Sequence, residues 1–334
     1  MTDALYLSGD ELEGLATLPE LIDAVREGYR QRGEGAPAKP RTALTNDDPA
    51  GLLTGYLAVL PETGAMGGYA YSAGFGASDA WFLTPIFDAE SGEPLAVLDG
   101  AWMNPLKTGA AGAVGLDALA REDATELAVI GSGTQARGQL RAAAEARAFA
   151  SVRVYSPTKD HRESFAAEFN RELDATVAAV ATSGAAIEGA DAVITATRAS
   201  EPVFDGEKLD PGTHVTAMGQ YHPEKHELDA DTVARATYVP DLRERVSQDA
   251  GSFLAALDAG TIEEDHVHAE LGEVIAGGAP GRTDEEEITI FDSGGTAIET
   301  VAAAHLLYER AVEEGLGTEI EIQPASEGMP GRRS

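Results

Sequence analysis

The stretch Leu127-Ala-Val-Ile-Gly131-Ser132-Gly133-Thr134-Gln135-Ala136 decides the fold. Its uninterrupted apolar start reads as a strand buried on both faces, and a G-x-G-x-x-A turn follows at the opening of a helix. In such a turn the first glycine permits the tight bend, and the second lets backbone approach a pyrophosphate. The small Ala136 allows close helix–strand packing. Phosphates would rest on the helix N-terminus, where free N–H groups and the helix dipole favour an anion.

Outward from this turn, strand, glycine turn and helix repeat. Further strands are expected at 152–155, 176–180, 192–195, 214–217 and 238–239, with helical segments between most of them. That alternation predicts a parallel, doubly wound sheet of the Rossmann kind, with ligands at the carboxyl ends of the strands. Thr195, Ala196 and Thr197 then edge the crevice. The tip of the second strand chooses the cofactor: an acid there would hold the ribose 2′-hydroxyl of NAD, whereas hydroxyls and cations favour a 2′-phosphate. The tip carries Ser156, Thr158, Lys159 and Arg162, which leans the reading toward NADP over NAD.

Upstream, Ser8 and Glu11 fit a capping box, and Leu21, Ile22, Val25 and Tyr29 repeat at helical spacing, so the chain is expected to open with helices. Short strands are expected near 44 and at 52–60, 68–76, 81–87 and 94–98, the last two joined by a polar turn over 88–93. This makes an α+β unit. The Ala- and Gly-rich segment 102–119 predicts a closely packed helix, and Ile298, Val301, Ala302, Leu306, Leu307 and Tyr308 predict a long helix near the end. The tail 326–334 is expected to be flexible.

The 334 residues contain no cysteine, which excludes disulfides, thiolate metal sites and cysteine nucleophiles. A net charge of −33 argues against nucleic acid and anionic membrane as partners. Only five of the 24 cationic residues are lysines. Such a surface suits a cytoplasm of very high salt, where the Debye length falls to about 3 Å. With no secretory-type start and no apolar run long enough to span a bilayer, a cytoplasmic protein is expected. His266, His268 and Glu270 lack a supporting ligand spacing, so no metal is expected. Neither a serine elbow nor a P-loop is present.

Several segments together resemble the ornithine cyclodeaminase and mu-crystallin family. They are Pro40-Arg41-Thr42, the hairpin over 88–100, Leu106-Lys-Thr-Gly-Ala-Ala-Gly112, the dinucleotide turn, 154–158, 191–197, 211–215, Glu270-Leu-Gly-Glu-Val274, 281–284 and 287–291. The match runs in order over about 270 residues from Arg41 to Arg310. The family also includes alanine dehydrogenases and ketimine reductases. The resemblance implies an α/β fold in which a Rossmann domain (119–296) is inserted into a discontinuous α+β substrate and dimerisation domain (1–118 with 297–325). It further implies a homodimer and hydride exchange between a nicotinamide and a small amino or imino acid.

By the same resemblance, Arg41 and Lys107 bind the substrate carboxylate. Thr108 opens a helix beside the phosphates, Gly131, Ser132, Gly133, Thr134 and Gln135 form the dinucleotide turn, Met218 and Gly219 lie near the nicotinamide, and Ser293 and Gly294 close the ring site. Tyr69 falls where much of the family has a lysine, and Tyr221 where the cyclodeaminases have an aspartate. A tyrosine, with a reference pKa of about 10, is a poor replacement for a carboxylate base. The leading expectation is therefore an imine reductase or amino-acid dehydrogenase, with Tyr69, Tyr221 or His222 handling the proton and Lys107 assisting. Ornithine cyclodeaminase and a non-catalytic NADP-binding protein are the alternatives.

Overall fold

The computed structural model describes residues 2–77 and 79–326. Among these the strands run, in chain order, β1 (Thr2–Leu7), β2 (Thr42–Asp47), β3 (Ala50–Leu60), β4 (Ala65–Gly74), β5 (Trp81–Asp88), β6 (Pro94–Asp99), β7 (Glu126–Ile130), β8 (Ser151–Tyr155), β9 (Thr176–Ala179), β10 (Ala192–Thr195), β11 (His214–Ala217), β12 (Ala236–Pro240), β13 (Ile288–Asp292) and β14 (Thr318–Ile322). They form two seven-stranded sheets in two compact units. One unit comprises residues up to Asn104 and from Thr296 onward; the other is Pro105–Gly295.

In the Pro105–Gly295 unit the sheet is parallel throughout, in the order β12-β13-β11-β10-β7-β8-β9. Alternate residues of one strand enter opposite cores: Ala128 and Ile130 lie in one apolar cluster, Leu127 and Val129 in the other. Burial on both faces is why β7 carries no polar alternation. Sequence reading missed β13, which follows the acidic run 284–287, yet β13 lies between β11 and β12.

In the other unit the sheet order is β14-β1-β6-β5-β4-β3-β2, with β1 parallel to β6 and the other pairs antiparallel. The chain thus opens with a strand, not a helix. Ser8 and Glu11 do form the capping box, but on the short helix Gly9–Leu12 that follows. The segment leading to the tail is the partner strand, with Thr2 opposite Ile322. The helices Leu18–Gly33 and Ala297–Glu314 pack together, Gly28 standing where a side chain would come within 3.2 Å of Ala302. Ala297–Glu314 also covers β3, β4 and β5, and a capping box of Thr296 with Glu299 starts it. On the opposite sheet face, Leu44, Leu53, Leu57, Trp81 and Leu83 are exposed.

The helix Gly100–Leu119 contains Pro105, and the boundary between the units falls beside that proline, earlier in the chain than the expected 118. Lys107 and Thr108 lie inside this helix, so Thr108 does not open it. Residues 327–334 of the expected tail lie outside the described residues.

Candidate active site

The parallel sheet runs outward from β7 to β8 and β9, and then resumes on the other side of β7 with β10. That reversal creates a crevice beyond the carboxyl ends of β7 and β10. Gly131, next after β7, has φ +126°, and a side chain there would come within 2.3 Å of the Ala196 carbonyl oxygen. Both the conformation and the space demand glycine. Gly133 is the extended N-cap of the helix Thr134–Ala146; no side chain caps it, and no atom lies within 4 Å of where its Cβ would be. The turn is held from outside itself. Ser132 Oγ donates to Ser156 Oγ at 3.0 Å, the Gly131 N–H to the Tyr155 carbonyl at 2.8 Å, and Arg137 to the Ser132 carbonyl.

These residues fit a dinucleotide. The helix terminus is open to an anion, and two buried polar atoms, Gln135 Oε1 and Ser293 Oγ, have no hydrogen-bond partner among the described residues. A bound ligand with amide or phosphate groups would satisfy such atoms. At the tip of β8, the Arg162 guanidinium donates to the carbonyls of Ser156 (2.9 Å) and Pro157 (3.3 Å) and lies 5.9 Å from the Tyr155 ring centre. Arg162 therefore clamps the strand end. Lys159, the more exposed cation, is 3.6 Å from the Glu163 carboxylate, and Thr158 is the N-cap of their helix.

Two groups missed by sequence reading organise the far side of the crevice. Glu227 is buried and accepts from Thr195, Thr197 and Gly219, so it touches the expected edges at Thr195–Thr197 and Met218–Gly219. Arg245, fully buried, donates to Asp241 (2.8 Å), Asp249 (2.7 Å) and Asp292, and the Tyr238 hydroxyl donates to Asp292 at 2.5 Å. A side chain at Gly294 would come within 2.6 Å of that guanidinium, while Asp241 accepts the Gly295 N–H at 2.9 Å. The ion cluster thus supports the Ser293–Gly295 turn after β13. Its four-residue spacing, Asp241, Arg245, Asp249, is legible in the sequence; its burial is not.

Lys107 is 1% exposed on its helix, and the glycines around it explain that helix's composition. A side chain at Gly109 would come within 2.5 Å of the Gly138 carbonyl, one at Gly112 within 1.9 Å of Gln139 Oε1, and Gln139 donates to the Thr108 carbonyl at 2.7 Å. Lys107 and Thr108 thus ride on a helix locked against the helix Thr134–Ala146. Tyr221 is 43% exposed. His222 Nδ1 accepts the Glu224 N–H at 3.1 Å. His266 and His268 hydrogen-bond the carbonyls of Val233 and Pro280, at 2.8 and 2.9 Å.

Arg41 and Tyr69 belong to the other unit. Tyr69 is 3% exposed between the rings of Tyr56 and Phe82, each 5.3 Å away, and Arg41 stands 5.6 Å from the Tyr56 ring centre. These four side chains form one continuous stack of a guanidinium and three rings.

Relatives of known type share this sequence and fold. A Delta(1)-pyrroline-2-carboxylate reductase of Bacillus cereus is 37% identical over 241 residues, 72% of this chain and 74% of the relative. The solved structure of the Thermococcus litoralis Delta(1)-pyrroline-2-carboxylate reductase, with NADH and L-proline, aligns at TM-score 0.89 with 33% identity over 95% of this chain and 100% of that one. An archaeal alanine dehydrogenase dimer with bound NAD aligns at TM-score 0.90 with 32% identity, over 96% of this chain and 100% of that one. The model of the ornithine cyclodeaminase/mu-crystallin family matches residues 3–315, and the chain belongs to that family.

Proposed function

We propose that this chain is an NAD(P)-dependent oxidoreductase that exchanges a hydride with a small α-imino or α-amino acid. The observation that carries the reading is the crevice: the open helix terminus at Gly133, the Thr195–Thr197 edge, Gly219 and the unpartnered Ser293 hydroxyl all follow the carboxyl ends of neighbouring strands of one sheet. A dinucleotide held there would give or take the hydride, while the protein supplies position and charge. Gly131 through Gln135 hold the pyrophosphate. Ser156, Thr158, Lys159 and Arg162, with no acid at position 156, favour NADP while admitting NAD. Arg41 and Lys107 bind the substrate carboxylate, the guanidinium offering a planar two-pronged donor. Tyr69, Tyr221 or His222 handles the proton at the substrate nitrogen.

The working form we propose is a homodimer in a cytoplasm of high salt. The exposed leucines and Trp81 on the open face of the mixed sheet are of the kind that a second copy covers. The charge of −33 would make the protein depend on screening.

The test is an assay in molar KCl with pyrroline-2-carboxylate, pyruvate plus ammonia, alanine, proline and ornithine, each with both cofactors. One imino or amino acid should turn over with stoichiometric NAD(P)H change, and Lys107→Ala should lower kcat/KM about 100-fold through loss of a charge-assisted contact. Proline and ammonia formed from ornithine with only catalytic NAD would overturn the assignment.

A further inference from the structure

The hydrogen-bonded ladder between β10 and β11 ends at the pair Thr195 and Ala217, with the Met218 N–H bonded to the Thr195 carbonyl at 3.1 Å. Beyond that point the two chain segments diverge around the crevice, and a side-chain carboxylate takes over the seam. Glu227 is 2% exposed. Its Oε1 accepts the Thr197 N–H at 2.7 Å; its Oε2 accepts the Gly219 N–H at 2.8 Å and the Thr195 hydroxyl at 3.0 Å. A side chain at Gly219 would come within 2.4 Å of both Glu227 Oε1 and the Thr197 nitrogen, so carboxylate and backbone are in direct contact. The base of this brace is itself anchored, because the Glu227 carbonyl accepts the Val203 N–H at 2.9 Å.

Only a carboxylate satisfies this arrangement. Both oxygens face N–H donors, so an amide in their place would turn its own NH₂ toward one of them. Burial pushes the Glu227 carboxyl above the usual carboxylate range, and the donors from Thr197, Gly219 and Thr195 oppose that cost. A carboxylate kept at that cost, spanning two crevice edges and closing the loop that carries Tyr221 and His222, does more than fill space.

We propose that Glu227 is a positioning residue of the hydride-transfer site, a strut that sets the separation of the Thr195–Thr197 and Met218–Gly219 edges between which the nicotinamide half of the dinucleotide lies. The proposal rests on the cofactor reading above. It separates the two halves of the ligand: the adenosine diphosphate half is held at Gly131–Gln135 and the tip of β8, to which the Glu227 carboxylate makes no hydrogen bond among the described residues, while the nicotinamide half depends on the strut.

The test compares wild type, Glu227→Gln and Thr195→Val in molar KCl by fluorescence titration with NADH, NADPH, ADP-ribose and 2′-phospho-ADP-ribose, with melting temperature recorded alongside. Glu227→Gln should weaken the intact dinucleotides about tenfold, the scale of a lost charge-assisted hydrogen bond, and leave the two ribose fragments within about twofold. Thr195→Val, which removes one of the three donors, should show the same pattern at about threefold, and it decides the matter if Glu227→Gln fails to fold. Equal losses for dinucleotide and fragment, or no loss for either, would overturn the strut alone. A wild type that binds no dinucleotide would overturn the cofactor reading and the strut with it.

Discussion

The two sheets of this protein have seven strands each and solve burial in opposite ways. The parallel sheet of Pro105–Gly295 sends alternate residues of β7 into two apolar cores, and β7 is apolar from Leu127 through Ile130. The mixed sheet is packed by Ala297–Glu314 on one face and leaves Leu44, Leu53, Leu57, Trp81 and Leu83 exposed on the other. A strand whose outward residues are apolar and yet uncovered is poorly suited to a lone chain, because each buried leucine is worth about 2 kcal/mol that exposure forfeits. One sheet is covered on both faces within its own chain; the other is covered on one face only. Their polar interiors differ as well. The parallel unit buries an arginine among three aspartates, whereas the helix-covered face of the mixed sheet is packed with the rings of Tyr56, Tyr69, Tyr71 and Phe82.

The sharpest way to break this contrast is Arg245→Met. Removing the cation leaves Asp241, Asp249 and Asp292 buried without it, and the parallel unit should lose about 3 to 5 kcal/mol in urea unfolding. A loss below about 1 kcal/mol would mean that the aspartates are satisfied by other means. Next in size is the open face. Leu53→Glu combined with Leu57→Glu should leave the fold intact, by circular dichroism, while sedimentation equilibrium shows the mass falling from dimer to monomer. An unchanged mass would show that this face serves no partner copy.

The smallest effect is a pH slope. His214 lies wholly inside the parallel sheet between the hydroxyls of Thr289 (2.9 Å) and Thr216 (3.0 Å), and burial lowers its pKa from 6.5 to about 3. The unfolded chain therefore takes up this proton first as pH falls. The stability that neutral His214 contributes is full above about pH 6.5 and is lost toward pH 3, at about 1.4 kcal/mol per pH unit. Denaturant midpoints across that range should be flatter for His214→Asn than for wild type. Identical slopes would mean that this histidine accepts its proton in the folded state.

Legibility followed locality. The strand–turn–helix at Gly131 and Gly133 was readable because its requirements lie within ten consecutive residues: an apolar strand, a positive φ, an open helix start. The hairpin over 88–93 was readable for the same reason, with Gly92 at φ +77° and the Asp88 N–H bonded to the Glu93 carbonyl. Thr108 misled because its helix had already begun at Gly100 and passed through Pro105, a residue that usually marks a start. Strand β13 was hidden by the acidic run before it, although Glu287 of that run accepts the Thr283 N–H at 2.7 Å and is not merely solvated.

By itself the sequence determined the parallel sheet, the glycine turn after β7, the Ser8–Glu11 capping box and the net charge of −33, since each is a property of neighbouring residues or of a sum over them. Only the tertiary structure decided that the first strand pairs with the last, Thr2 against Ile322, that Glu227 joins two strand ends, and that Arg245 stands beneath Gly294. The physical reason is the same in each case. Edge pairing and buried charge are favourable only when a distant segment supplies the matching donor or acceptor, and no spacing along the chain records which segment that is.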